Sequence, residues 1–118
     1  MNEEQIRDLV ILWPGVTEHF PFDEFTLVFK VAGKMFLLVS LEEDPLRANM
    51  KGTEEQNAEW REQYPDSIFP GYHMDKKHWN TVIMEGDLPG VFIKQMIKNS
   101  YDLVLSKLPK KVQVELKG

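Results

Sequence analysis

The ten residues Tyr72-His73-Met74-Asp75-Lys76-Lys77-His78-Trp79-Asn80-Thr81 gather two histidines, two lysines, two aromatic rings and an amide. Lys76, Lys77 and a protonated His78 could neutralise phosphate oxygens, Trp79 or Tyr72 could stack on a base, and Asn80 could hydrogen-bond a ligand edge. The plainer reading puts Trp79 in the core at the start of a strand, ties His78 to a backbone group and leaves the lysines solvating a loop. His73 and His78, with Asp75 between them, carry metal-ligand atoms. Their spacing puts the two rings on neither one helical face nor one strand face and implies no third ligand, so no metal is expected. An enzyme using His73 or His78 as acid or base needs a carboxylate within hydrogen-bond reach of the ring.

Other chemistry is harder to place. Ser40, Ser67 and Ser100 lie in no nucleophile motif, and there is no cysteine. The turns Ala32-Gly33-Lys34 and Pro70-Gly71-Tyr72 lack the repeated glycines of a phosphate-cradling loop. Acidic residues cluster at Glu42-Glu43-Asp44 and at Glu54, Glu55, Glu59 and Glu62 without the spacing of a cation loop, and read as solvated faces. Lys107, Lys110 and Lys111 suit the negative end of a helix dipole. Lys30 and Lys34 flank a turn, where they guard a sheet edge or extend an anion-binding surface. No catalytic residue and no cofactor is implied.

The elements that must position these residues are legible from periodicity. Asn2 with Gln5 forms a capping-box pattern, and Ile6, Leu9, Val10 and Trp13 follow on one helical face until Pro14-Gly15. Phe25 to Val31 and Lys34 to Leu41, split by Ala32-Gly33, predict a hairpin. Glu42-Glu43-Asp44-Pro45 makes a second turn into a strand on which Leu46, Ala48 and Met50 alternate with polar residues. Thr53 with Gln56 opens a polar helix from about Glu54 to Tyr64, with Trp60 and Tyr64 as its core contacts. A strand from Trp79 to Glu85 and a long helix from about Leu88 to Leu108, stopped by Pro109, complete the chain. A helix, a three-strand meander, a helix, a strand and a helix do not alternate as βαβ units. The expected class is therefore α+β, an antiparallel sheet with helices covering one face.

Composition sets the bounds. A chain of 118 residues without repeats or linkers reads as one domain, residues 1–118, large enough to bury a core without disulfides. The absence of cysteine suits a reducing cytoplasm. The acidic start and the lack of a long apolar run predict a soluble chain without a signal peptide or membrane segment. A net charge of −5 argues against a generic polyanion binder. Yet residues 1–66 carry 6 basic and 14 acidic side chains, or −8, whereas residues 67–118 carry 8 and 5, or +3. An anion-facing surface would draw on the second part.

An ordered series of motifs runs from about Ile6 to Lys111: Pro14-Gly15, Phe20-Pro21-Phe22, Val28-Phe29-Lys30-Val31, Gly33-Lys34-Met35-Phe36, Gly71-Tyr72-His73-Met74, Lys77-His78-Trp79-Asn80-Thr81, Ser100-Tyr101-Asp102-Leu103-Val104 and Leu108-Pro109-Lys110-Lys111. Together they resemble the MmcQ/YjbR family. The resemblance implies a bacterial domain with a CyaY-like (frataxin-like) α+β fold, commonly labelled DNA-binding, and it brings no catalytic residues. The expectation is a non-enzymatic, monomeric binding domain that contacts DNA weakly and in a salt-sensitive way through Lys34, Tyr72, His73, Lys76, Lys77, His78, Trp79 and Asn80. The alternative is a protein-interaction or small-ligand module in which the same loop lines an apolar cleft and nucleic acid plays no part.

Overall fold

The computed structural model describes residues 1–117; Gly118, the last residue of the expected domain, lies outside them. The elements in chain order are α1 (Glu3–Val10), β1 (Val16–His19), β2 (Thr26–Val31), β3 (Lys34–Ser40), β4 (Arg47–Lys51), α2 (Glu54–Gln63), β5 (Ile68–Pro70), β6 (Trp79–Ile83), α3 (Gly90–Ser106) and α4 (Lys110–Lys117). The six strands form one antiparallel sheet in the order β1-β2-β3-β4-β6-β5.

Both capping boxes form: the Asn2 and Thr53 side chains accept from the backbone of Gln5 and Gln56, whose side chains reach back to the cap. Ile6 and Val10 of α1 and Ile93, Met96, Ile97, Tyr101 and Val104 of α3 pack on Leu27, Phe29, Val31, Phe36, Leu37, Val39, Ala48, Met50 and Val82. This is the main core, on one face of the sheet. Trp60 and Tyr64 of α2 join its margin against Phe92.

The β2–β3 turn has both central residues in the left-handed region, Ala32 at φ 48° and Gly33 at φ 83°, the backbone of a tight hairpin turn. A register shift between Phe29 and Lys30 opposite β3 lets the successive residues Phe36 and Leu37 both join the main core. Ser100, buried in α3, then cross-links the layers: its hydroxyl donates to Phe36 O at 2.6 Å and accepts from Lys51 N at 2.8 Å.

Three elements differ from the expectation. β1 is a four-residue edge strand, held to α1 by the two-pronged pair of Arg7 with Glu18 at 2.7 and 2.8 Å. β5 is three residues long. The long helix stops ahead of Pro109 as expected, but a further helix follows: the Pro109 carbonyl accepts from Val112 N and Gln113 N and starts α4.

The opposite face of the sheet carries a second, smaller cluster, Val28, Leu38 and Trp79 with Met35 and Met74 packed on it. The segments that flank it hold the candidate site.

Candidate functional site

The loop between β5 and β6 is pinned from two sides. Gly71 N donates to Trp79 O at 2.8 Å, and a Cβ on Gly71 would lie 2.8 Å from Trp79 Cβ. Glycine is needed there because the two backbone segments touch. On the open face, Tyr72 N donates to Thr81 Oγ1 at 3.0 Å while the Thr81 hydroxyl donates to Asn49 Oδ1 at 2.5 Å. On the helix side, the buried Asn57 amide donates to Lys77 O at 3.0 Å and accepts from Asn80 Nδ2 at 3.0 Å. Arg61 reaches Asn80 Oδ1 at 2.6 Å, Trp79 O at 3.0 Å and Lys76 O. Burial lowers the Arg61 pKa, since only neutral acceptors surround the guanidinium.

Within the loop, Asp75 organises a turn. Its Oδ1 accepts from Lys77 N at 3.0 Å, its Oδ2 lies 2.7 Å from His78 Nδ1, and its carbonyl accepts from Trp79 N. The hydrogen bond with His78, then that from Lys77, holds the Asp75 carboxyl below the usual aspartate range. His78 thus has the carboxylate that acid–base chemistry requires, but the same carboxylate is already spent on the turn.

The expected site residues do not form one surface. Trp79 is only 8% exposed and Asn80 only 1%. Trp79 cannot stack on a base because its ring is packed in the second cluster, and Asn80 cannot read a ligand edge because its amide is used inside. Lys76 lies over its own loop, with Nζ 3.3 Å from Gly71 O, and Lys77 is exposed.

The remaining residues divide between opposite ends of the strands. At the β2–β3 turn end, Lys34 joins Lys51 and Lys107 around a hollow of about 180 Å³ beside Trp79. An adjoining hollow of about 290 Å³ is shared by Lys51, Lys107, His78, Thr53 and one carboxylate, Glu54. The Lys51 ammonium lies 6.0 Å from the Trp79 ring centre. Tyr72 and His73 instead line a cleft of about 430 Å³ with Phe22, Phe25 and Met74. Thr26, Leu38, Ser40 and Asn49 form its floor, and Asp23, Glu42 and Glu43 its lip. His73 sits there at φ 60°, a conformation uncommon outside glycine.

Sequence reasoning missed Lys51 and the phenylalanines of this cleft. Lys51 continues the polar half of the Ala48–Met50 alternation, which puts it on the open face. Phe22 stands in the Phe20-Pro21-Phe22 motif and Phe25 at the start of the expected strand, but neither pattern shows that they meet across a cleft. Among the described residues no group of three or more His, Cys, Asp or Glu side chains could hold a metal ion, and no helix is long and apolar enough to cross a membrane.

A family model described as YjbR matches residues 12–103. The chain is 34% identical over 110 residues to the uncharacterized protein YbdF of Escherichia coli O157:H7, covering 93% of this chain and 89% of that one. It is 29% identical over 109 residues to the uncharacterized protein YjbR of Escherichia coli K12, covering 92% of each. The crystal structure of Deinococcus radiodurans protein DR2400, described as a DUF419 domain, matches with a TM-score of 0.92 and 39% identity over 97% of this chain and 86% of that one.

Proposed function

The chain belongs to the YjbR family, and from that premise we propose a non-enzymatic binding domain that takes the phosphate backbone of DNA at the basic end of its sheet. The observation that carries the reading is the convergence of Lys34, Lys51 and Lys107, from β3, β4 and the end of α3, around adjoining hollows. The sheet, the Ser100 bond to Lys51 N and the end of α3 fix the backbone from which the three side chains project, so binding need order only the side chains. Ammonium groups on phosphate give affinity without sequence preference. Three such contacts set a salt dependence of about −3 in log K against log salt for duplex DNA. The His78–Asp75 pair belongs in this reading to the loop's own turn.

Further parts of the reading are a CyaY-like arrangement, supported by α1 and α3 on one face of the antiparallel sheet, a monomeric state, and a cytoplasmic setting suited to a chain without cysteine. The small-ligand alternative is favoured by the aromatic cleft.

The test is fluorescence anisotropy with single- and double-stranded DNA across a salt series. The variant Lys34→Ala/Lys51→Ala/Lys107→Ala should lose at least about tenfold in affinity, and nearly all of the salt slope. Lys76→Ala/Lys77→Ala should lose less. No binding by the parent at low salt, or a triple variant that binds like the parent, overturns the proposal.

A further inference from the structure

The cleft at the other end of the strands shares no lining residue with the basic hollows, and its chemistry is opposite. Phe22, Phe25 and Tyr72 are 63%, 46% and 69% exposed yet border one hollow of about 430 Å³, within the size of small-molecule sites. Three accessible rings around one concavity are a different feature from apolar side chains scattered singly over a surface. The rings do not satisfy one another. Among the described residues Tyr72 pairs only with His73, at 4.0 Å between ring centres, and Phe22 and Phe25 have no aromatic partner.

The floor offers Leu38 for apolar contact and Thr26 and Ser40 for hydrogen bonds, while the Asn49 amide is engaged by the Thr81 hydroxyl and Tyr72 O. Of the lip, Asp23 Oδ1 is committed to Phe25 N at 2.8 Å and Thr26 N at 2.7 Å, which fixes the segment carrying Phe25. Glu42 and Glu43 make no ion pair among the described residues. Arg47 lies opposite Ser40 in the β3–β4 register, its buried Nε has no hydrogen-bond partner among the described residues, and it makes no ion pair with either glutamate.

The carboxylates alone would be a solvated edge. It is the aromatic walls that demand an occupant, and the carboxylates that give its sign. An anion would meet the electron-rich ring faces and the acidic lip together, and a neutral ligand would leave the lip unused. A cation on an apolar body is attracted by both. We propose that this cleft binds a small organic cation, an ammonium group on an aryl or alkyl body, with the body between Phe22, Phe25 and Tyr72 and the charge toward Glu42 and Glu43.

The experiment is an amide NMR titration with 2-phenylethylamine, 2-phenylethanol and phenylacetate, which share a ring and differ in charge. The amine should shift the amides of Thr26, Ser40, Asn49 and Tyr72 saturably and bind about tenfold tighter than the alcohol, with phenylacetate weakest. Glu42→Gln/Glu43→Gln should bring the amine to the level of the alcohol, and Tyr72→Ala should weaken both. Equal binding of amine and alcohol, no saturable shift with any probe, or shifts centred elsewhere overturn the inference. DNA anisotropy of the Glu42→Gln/Glu43→Gln variant stays at or above the parent, so failure of one site is read separately from failure of the other.

Discussion

Replacing Asn57 by alanine tests whether the candidate loop is held by the amide network behind it. Asn57 Oδ1 accepts from the buried Asn80 Nδ2, and Asn57 Nδ2 donates to Lys77 O and reaches Gly52 O at 3.4 Å. Truncation leaves Asn80 Nδ2 buried without that acceptor, at about 1–3 kcal/mol, and removes the bond to Lys77 O, worth about 1 kcal/mol. The exchange also removes asparagine from the interior of α2, where alanine is favoured by about 0.5 kcal/mol. The net expectation is a loss of about 1.5–3.5 kcal/mol. With a urea slope of about 1.5 kcal/mol/M, the unfolding midpoint falls by about 1–2.3 M. The amides of His78 and Trp79, both donated to Asp75 O, should also exchange faster, because the turn loses its support from α2. A midpoint shift under about 0.3 M, or unchanged exchange at His78 and Trp79, refutes the reasoning.

Ser100→Ala leaves Lys51 N and Phe36 O without their shared partner, so the urea midpoint should fall by the equivalent of about 1–3 kcal/mol, with faster exchange at the Lys51 amide. Gly71→Ala forces a Cβ against Trp79 Cβ and, at 2.9 Å, Trp79 O, and calorimetry should find the melting temperature lower by about 5–10 °C. The backbone N–H of Phe25 holds the Asp23 carboxyl below the ordinary aspartate value. Its contribution to stability is therefore present above the unfolded pKa and lost as pH falls through the lower folded value. Carboxyl NMR should find that lowered midpoint, with the amides of Phe25 and Thr26 titrating alongside; an ordinary midpoint contradicts it.

The elements legible in the sequence are those that bury a stripe. Ile6 and Val10, the alternation at Leu46, Ala48 and Met50, and the apolar spacing from Phe92 to Val104 all reach the main core. β1 and β5 escaped detection for the opposite reason. β1 is exposed beyond Val16 and β5 has three residues, so both owe their form to the neighbouring strand and neither repeats long enough to register. Pro109 has no backbone N–H to continue α3, which makes it a stop, but its carbonyl can still begin α4. At the site, proximity in sequence misled. Tyr72 to Thr81 is a single stretch, yet strand alternation sends Trp79 and Thr81 to one face and Asn80 to the other, and the loop's fold assigns Tyr72 and His78 to different hollows.

The same topology explains how an acidic chain can carry a basic surface. Successive turns of an antiparallel meander fall at opposite ends of the sheet, so Lys34, first residue of β3 after the β2–β3 turn, and Glu42, Glu43 and Asp44 in the β3–β4 connection must be separated by the length of β3. Seven residues of extended chain span about 20 Å, roughly twice the screening length at physiological ionic strength. Each end therefore presents its own charges and hardly senses the other. The net charge of −5 describes neither end, and the contrast between residues 1–66 and 67–118 divides the charge along the wrong coordinate. Lys34 and Lys51 belong to the acidic part of the sequence and to the basic end of the sheet. What partitions the charge is position along the strands, which is why lysines distant in sequence can line one hollow while carboxylates border an aromatic cleft at the far end.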